Sequence, residues 1–387
     1  MNLIYLDNNA STPLLPEALE AMRPFLCERF GNPASSHVFG RQARKALEDA
    51  REKIAALLEA QPDEVVFTSG ATEANNVAMF GLAGPTPARL VTSFLEHPSV
   101  LEPINELYRR GNAITYLAVT PDGVLDVGKV RFHEDTRLIA IMLANHETGA
   151  IQPIESLLRA LSVNGNGRAA VHCDAAAAAG KMPISFRNLG VTTVTISAHK
   201  FHGPKGIGAL LVRRGVKLHP LHFGGHQQHG QRPGTEPVAL AVGMATALEW
   251  SLRKLDEHQA RLLDLRQRFL AALREHAAPV MVNGPVEGGL PGTLNLSFPG
   301  CKADALLMNL DIAGVACSTG SACSSGSLLP SPVLQAMHKT GDILHSAMRF
   351  SLSPLLRVAD IDEAARRIVQ CVNRLRQAHD AEDGSIG

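Results

Sequence analysis

The sequence predicts an α/β protein: a large domain whose mainly parallel sheet is flanked by helices, and a smaller α+β domain. Three observations carry that expectation. Between residues 65 and 212, short β-branched runs alternate with helical stretches, the pattern of a parallel sheet covered on both faces. Thr72, His97, Asn145, Asp174 and Lys200 each follow such a run, where ligands collect in open α/β sheets. Residues 237–275 then form a long, mostly helical stretch that bridges to a second set of elements. The expected division is 16–255 for the large domain, 1–15 with 256–379 for the small one, and a frayed polar tail at 380–387.

In chain order, residues 3–6 are a short apolar run ending in Asp7-Asn-Asn-Ala10, and Pro16 suits the first turn of a helix. The loop Phe30-Gly-Asn-Pro-Ala34 precedes an amphipathic helix in which Ala43, Leu47, Ala50, Ile54 and Leu57 recur at steps of four and three. A β-branched run from Val65 enters Ser69-Gly-Ala-Thr72. The backbone N–H groups of the helix that starts there, at Ala71, form with the Thr72 hydroxyl an anion site suited to phosphate. An ordinary helix cap is the plainer alternative. Residues 89–93 lead to His97, and 138–143 lead to Asn145 and His146. Residues 153–161 read as helix, 164–167 as a turn, and 171–174, 191–196 and 207–212 as strands. Residues 293–298 alternate like a half-exposed strand, and 303–310 read as helix. Asp360 with Glu363 three residues on reads as a capping box opening the last helix, whose stripe is Ile361, Ala365, Ile368, Val372 and Leu375.

The 387 residues suffice for two domains and a large buried core. Lys+Arg and Asp+Glu both number 37, so charge gives no reason to expect a nucleic acid or an anionic membrane as partner. No apolar run reaches membrane-spanning length, and residues 1–7 lack the basic region and apolar core of a leader. A cytoplasmic location is therefore expected. Cys27, Cys173, Cys301, Cys317, Cys323 and Cys371 are scattered without C-x-x-C pairs, which fits reduced thiols. His219, His222, His226 and His229 crowd one loop, but their spacing matches no known metal site and none is expected.

The chemistry concentrates in Ser197-Ala-His-Lys-Phe-His-Gly-Pro-Lys-Gly-Ile-Gly208. A lysine at the turn after a strand can form a Schiff base, and partial burial lowers its pKa to help. Ser197 and His199 place donors beside Lys200, and the glycines let the backbone approach a bound group. Taken alone, the stretch also fits a surface hairpin with a solvated lysine. His172-Cys-Asp174 breaks the tie. An acid at one strand end and a lysine at the next suit pyridoxal phosphate: the lysine holds the aldehyde carbon, and the acid keeps the pyridine nitrogen protonated.

His172-Cys-Asp174, Ser197-Ala-His-Lys200 and Gly203-Pro-Lys-Gly-Ile-Gly208 resemble the class V aminotransferase group of fold-type I pyridoxal-phosphate enzymes. Within that group they are most similar to the NifS/IscS-like cysteine desulfurases. Asp7-Asn-Asn-Ala10 and Phe30-Gly-Asn-Pro-Ala34 are similar to the family's opening motifs, and Ser321-Ala-Cys-Ser-Ser325 to its catalytic loop. The resemblance covers nearly the whole chain. It implies a seven-stranded large-domain sheet and a homodimer with shared sites, Thr235 reaching the phosphate of the neighbouring subunit. It assigns Lys200 to the cofactor and to proton transfer, Asp174 to the ring nitrogen, and His97 to stacking on the ring and relaying protons. Ala71, Thr72, Ser197 and His199 are further cofactor contacts. Asn32, Asn145, His146 and Arg349 are expected at the substrate, Arg349 as a fork on its carboxylate. Cys323 is the expected nucleophile. The implied reaction takes sulfur from L-cysteine, leaves alanine, and passes an enzyme persulfide to an acceptor protein or thiol, as in iron–sulfur cluster assembly.

The run from Cys317 to Ser327 is almost all small residues, so it is expected to be mobile and its central thiol exposed. Cys317 has no counterpart in the family pattern. Two positions depart from that pattern: Ala177 stands where glutamine is usual, and His146 where asparagine is usual. Losing the glutamine donor could raise the Schiff-base pKa, and His146 is a candidate replacement. A selenocysteine lyase, another class V aminotransferase-like enzyme, or a cofactor-binding sulfur-relay protein with little turnover are the competing expectations. Alanine plus sulfide, selenide only, a keto acid, or no turnover would separate them.

Overall fold

The computed structural model describes residues 2–163, 167–320 and 330–383. The expected turn at 164–167 therefore lies mostly outside the described residues, as does the segment carrying Cys323. The first elements are β1 (Ile4–Tyr5), α1 (Pro16–Cys27), α2 (Val38–Leu57), β2 (Val65–Thr68), α3 (Ala71–Ala83), β3 (Arg89–Thr92), α4 (Pro98–Arg109) and β4 (Ala113–Tyr116). There follow β5 (Thr136–Met142), α5 (Ile154–Val163), β6 (Ala170–Asp174), α6 (Phe186–Leu189), β7 (Thr193–Ser197), β8 (Gly208–Val212), α7 (Val238–Arg253) and α8 (Leu255–His276). The chain continues through β9 (Met281–Asn283), β10 (Thr293–Ser297), α9 (Ala303–Ile312), β11 (Val315–Ala316), α10 (Pro332–Ala336), α11 (Gly341–His345), β12 (Ala347–Ser351) and α12 (Val358–Asp383).

Seven strands form one sheet in the order β2-β8-β7-β6-β5-β3-β4. Only β8 runs antiparallel to its neighbours; every other pairing is parallel. Its central strands are Val/Ile/Leu-rich because helices cover both faces and leave no solvated side. Parallel pairing also aligns the carboxyl ends of β3, β5, β6 and β7 along one edge, and that edge carries the site.

The apolar side chains gather into separate cores. The largest joins Leu47, Ile54, Phe67, Ile139, Ile141 and Val194 with Met244 and Leu248 of α7. The second joins Ile4 and Leu6 with Leu265 and Phe269 of α8, and with Leu294, Phe350 and Ile368. The helical stretch expected over 237–275 is accordingly two helices, parted at Lys254, whose backbone leaves the helical region (φ −113°, ψ 22°). One straight helix could not aim its first half at one core and its second half at the other.

Three local expectations are corrected. Strand β10 is fully buried, not half-exposed, because β9 and β12 flank it and part of its polar face is bonded internally. Asn9 donates to Thr293 Oγ1 at 2.9 Å, and Asn283 donates to Asn295 Oδ1 at 2.9 Å and Ser297 Oγ at 2.7 Å. Helix α12 begins at Val358, so Asp360 sits inside its first turn. Its carboxylate accepts the Arg357 backbone N–H at 3.0 Å, while Glu363 pairs with Arg366 and Arg367. The same helix continues to Asp383, past the point where fraying was expected, since Ala381 and Glu382 favour helix.

Candidate active site

The carboxyl edge of the large sheet opens into a cavity lined by Ala71, Thr72, His97, His146, Asp174, Ala177, Ser197, His199, Lys200 and Arg349, among others. Thr72, His97, His146, Asp174 and Lys200 reach it from beyond the ends of β2, β3, β5, β6 and β7, and Arg349 from within β12. Strand β2 turns at Gly70 (φ +155°, ψ −178°), which no side chain caps, so the first N–H groups of α3 face outward at Ala71 and Thr72. Strand β8 passes close behind this turn. A Cβ on Gly208 would lie 2.8 Å from the Gly70 carbonyl carbon and 2.7 Å from the Ile196 oxygen, so only glycine lets the two backbones approach. Beside the turn, the buried Ser197 hydroxyl has no partner among the described residues.

Asp174 ends β6. Its Oδ2 accepts from Asn75 Nδ2 at 2.8 Å and its Oδ1 from the Ala176 N–H at 2.9 Å. Asn75 in turn contacts His172 Nε2 at 3.0 Å through its carbonyl oxygen. Burial pushes His172 down to about 4, so the imidazole behind the carboxylate is neutral. Lys200 follows β7, and its Nζ donates to the backbone oxygens of Asn9 and Ala10. His199 beside it is pushed down to about 4, first by burial and then by the charges of Lys200, Lys205 and Lys181.

His97 caps α4, with Nδ1 accepting the Ser99 N–H at 3.0 Å. A ring nitrogen that accepts there leaves the proton of the neutral ring on Nε2. Burial lowers its pKa and the Asp174 charge opposes that shift. Arg349 lies in the middle of β12 and is buried. Its Nη2 pairs with Asp7 Oδ1 at 2.8 Å, and among the described residues its Nε has no partner.

Two residues that sequence reasoning passed over tie the site together. The Asn9 side chain donates to the His146 backbone oxygen at 3.1 Å and to Thr293, and accepts from Lys181 Nζ at 2.8 Å. Burial, reinforced by the charges of Lys200 and Arg349, pulls Lys181 down to about 7. Its ordinary value is 10.5, so between about pH 7 and 10.5 the unfolded chain holds a proton that the folded chain does not. Lys181 therefore makes stability climb with pH through that window. Lys181→Met is expected to flatten the climb, seen as a smaller rise in Tm from pH 7 to pH 10 than in the parent. A difference profile that stays level would overturn the assignment.

Three expected site residues do not line this cavity, and a fourth is not described. Asn145 is buried, but its amide is consumed by its own turn: Oδ1 accepts from the Glu147 and Thr148 N–H groups at 2.9 Å, and Nδ2 donates to the Leu95 oxygen at 3.1 Å. Asn32 is exposed and accepts from the Ala34 N–H. Thr235 lines a second cavity, which shares Ser69, Thr72 and Glu73 with the first. Cys323 lies outside the described residues. Cys317 is half-buried, and burial, reinforced by Asp7, pushes its thiol up to about 12, which makes it a poor nucleophile.

These residues fit pyridoxal phosphate. The helix start with its orphaned serine hydroxyl suits a phosphate, the anchored carboxylate suits a pyridinium N–H, and the lysine suits an aldehyde. The chain belongs to the class V aminotransferase family: the family pattern described as Aminotransferase class-V spans residues 4–363. Pyridoxal phosphate is the cofactor of that family. Among its relatives, a protein of Dictyoglomus turgidum named cysteine desulfurase IscS is 42% identical over 96% of this chain and 95% of its own. A mitochondrial cysteine desulfurase of Drosophila melanogaster is 39% identical over 97% of this chain and 82% of its own. A solved NifS-like protein superposes with a TM-score of 0.90 at 35% identity, covering 95% of this chain and 98% of that one. SspA, solved in complex with cysteine, superposes with a TM-score of 0.80 at 34% identity over 91% and 99%.

Proposed function

We propose that this chain is a pyridoxal-phosphate-dependent cysteine desulfurase, converting L-cysteine to alanine and an enzyme persulfide. The observation that carries this reading is that Lys200, Asp174 and Arg349 line one cavity with a phosphate-type helix start. Pyridoxal phosphate bound there supplies the electron sink that weakens bonds at the substrate Cα and Cβ. Asp174 holds the ring N–H. Lys200 would hold the cofactor's aldehyde and, once free, would move the substrate Cα proton. Arg349 would bind the substrate carboxylate, and His97 would cover the ring. The Cys323 thiolate attacks the substrate sulfur: an S–S bond forms, the C–S bond breaks, and the carbon that keeps the electron pair is protonated to give alanine. An acceptor protein or thiol then takes the sulfur from Cys323.

The reading extends to a homodimer in which Thr235 faces the neighbouring subunit's phosphate, to a cytoplasmic location, and to sulfur supply for iron–sulfur assembly. It also includes the division into a large domain at 16–255 and a small one at 1–15 and 256–379. What supports the division is the change of core at Lys254. Among the described residues no helix is long and apolar enough to cross a membrane.

The test is product analysis. Purified protein with added cofactor, L-cysteine and a thiol reductant should yield alanine and sulfide in equal amounts. A keto acid product, or no turnover by protein that has taken up the cofactor, overturns the reading. Arg349→Lys should lower kcat/KM for L-cysteine by ~10–100-fold, because an ammonium cannot make the two parallel hydrogen bonds of a guanidinium. Steady-state sulfide release checks this.

A further inference from the structure

The sheet order fixes how a bound cofactor ring must face. Along the carboxyl edge the site residues come in the sequence Thr72 after β2, Lys200 after β7, Asp174 after β6, His146 after β5 and His97 after β3. In pyridoxal phosphate, the line from the ring nitrogen to the aldehyde carbon separates the phosphate arm from the phenolic oxygen. With the nitrogen at Asp174, the aldehyde at Lys200 and the phosphate at the start of α3, the phenolic oxygen would face away from β2 and toward β5. Apart from Asp174, the cavity residues at the carboxyl ends of β5 and β6 are Met142, Ala144, His146, Ala176 and Ala177. Only His146 among them has a side-chain hydrogen-bond donor. Asn9 is nearby, but its amide is already committed to His146, Thr293 and Lys181.

His146 is 9% exposed, and among the described residues neither of its ring nitrogens has a hydrogen-bond partner. The nearest carboxylate oxygen, on Glu147, is 3.8 Å from Nε2, too far for a hydrogen bond. Its ring lies edge-on to that of His97 with centroids 5.3 Å apart. Burial, with His97, Arg349 and Lys200 around it, keeps the imidazole neutral, so it carries one N–H and one lone pair. A buried donor without a partner is costly unless a ligand completes it.

We propose that His146 donates its N–H to the phenolic oxygen of the bound cofactor and fills the role that Ala177, with only a methyl group, leaves open. The inference rests on the function proposed above. A donor at that oxygen stabilises the negative charge left there when the nitrogen joining Lys200 to the cofactor loses its proton. His146 therefore eases that deprotonation and keeps more of the enzyme ready for a substrate amine near neutral pH.

The test is a pH titration of the visible band of the cofactor-loaded protein, with no substrate present. His146→Ala and the space-filling His146→Leu should each move the midpoint up by about one unit, a tenfold gain in proton affinity. His146→Asn, which keeps a donor, should titrate close to the parent, and adding Ala177→Gln to His146→Ala should bring the midpoint back. Should the donor-less variants fail to hold the cofactor, recovery of loading and of the parent midpoint in His146→Asn supports the same conclusion. Loaded His146→Ala or His146→Leu that titrates like the parent overturns the inference, as does His146→Asn that fails alongside them. Parent protein that develops no visible band overturns the proposed function instead.

Discussion

Lys200→Ala is expected to give a folded protein with no visible band from lysine-bound cofactor and a turnover of L-cysteine lower by ~10³-fold or more. The lysine has two duties, and alanine performs neither. It is the amine that holds the aldehyde, and it is the base beside the substrate Cα. Its Nζ donates to the Asn9 and Ala10 oxygens, so the amine is held on the N-terminal strand side of the cavity. Those oxygens reach a cavity that water can enter, so the variant should fold and melt near the parent. Absorbance scans after adding cofactor, with sulfide release alongside, check both duties. A retained band at the parent wavelength would move the assignment to another lysine, and Lys181, at about 7, would be the next to replace.

Cys323→Ala should separate colour from sulfur. The cofactor band should match the parent, while sulfide release should fall below ~1% of it, because removing an essential nucleophile removes the step itself. Glu147 follows His146, and a Cβ on Gly320 would lie 3.5 Å from its carboxylate. Glu147 also accepts from Ser331 at 2.6 Å, so one side chain meets the chain on both sides of the cysteine segment. Sulfide release by Cys323→Ala at the parent rate would assign the nucleophile elsewhere. Cys317, with its thiol near 12, is poorly suited to replace it.

What the sequence made legible is what periodicity and strand ends encode. Thr72, His97, Asp174 and Lys200 follow β-branched runs, and parallel pairing then brings those ends together without further information. Polar residues whose meaning depends on distant partners were not legible. Asn9 and Lys181 are common residue types 172 positions apart, and only their 2.8 Å contact makes them part of the site. Asn75 is similar: nothing about an asparagine in the second turn of α3 announces a bond to Asp174 99 positions away. Asn145 shows the opposite error. It stands where a ligand contact is expected, yet its turn takes up both ends of its amide. The fully buried β10 misled for a related reason, since alternation says which side chains share a face but not whether that face meets water.

The ion pair between Arg349 and Asp7 has a consequence for selectivity. A carboxylate that takes both arms of this guanidinium must displace the one already on Nη2. For an anion that offers nothing else, such as acetate, the swap is close to even and leaves little net affinity. An α-amino acid tips the balance because its amine engages the cofactor at the same time. The N-terminal aspartate thus works as an internal competitor, screening out small anions and admitting those that can hold on at two points.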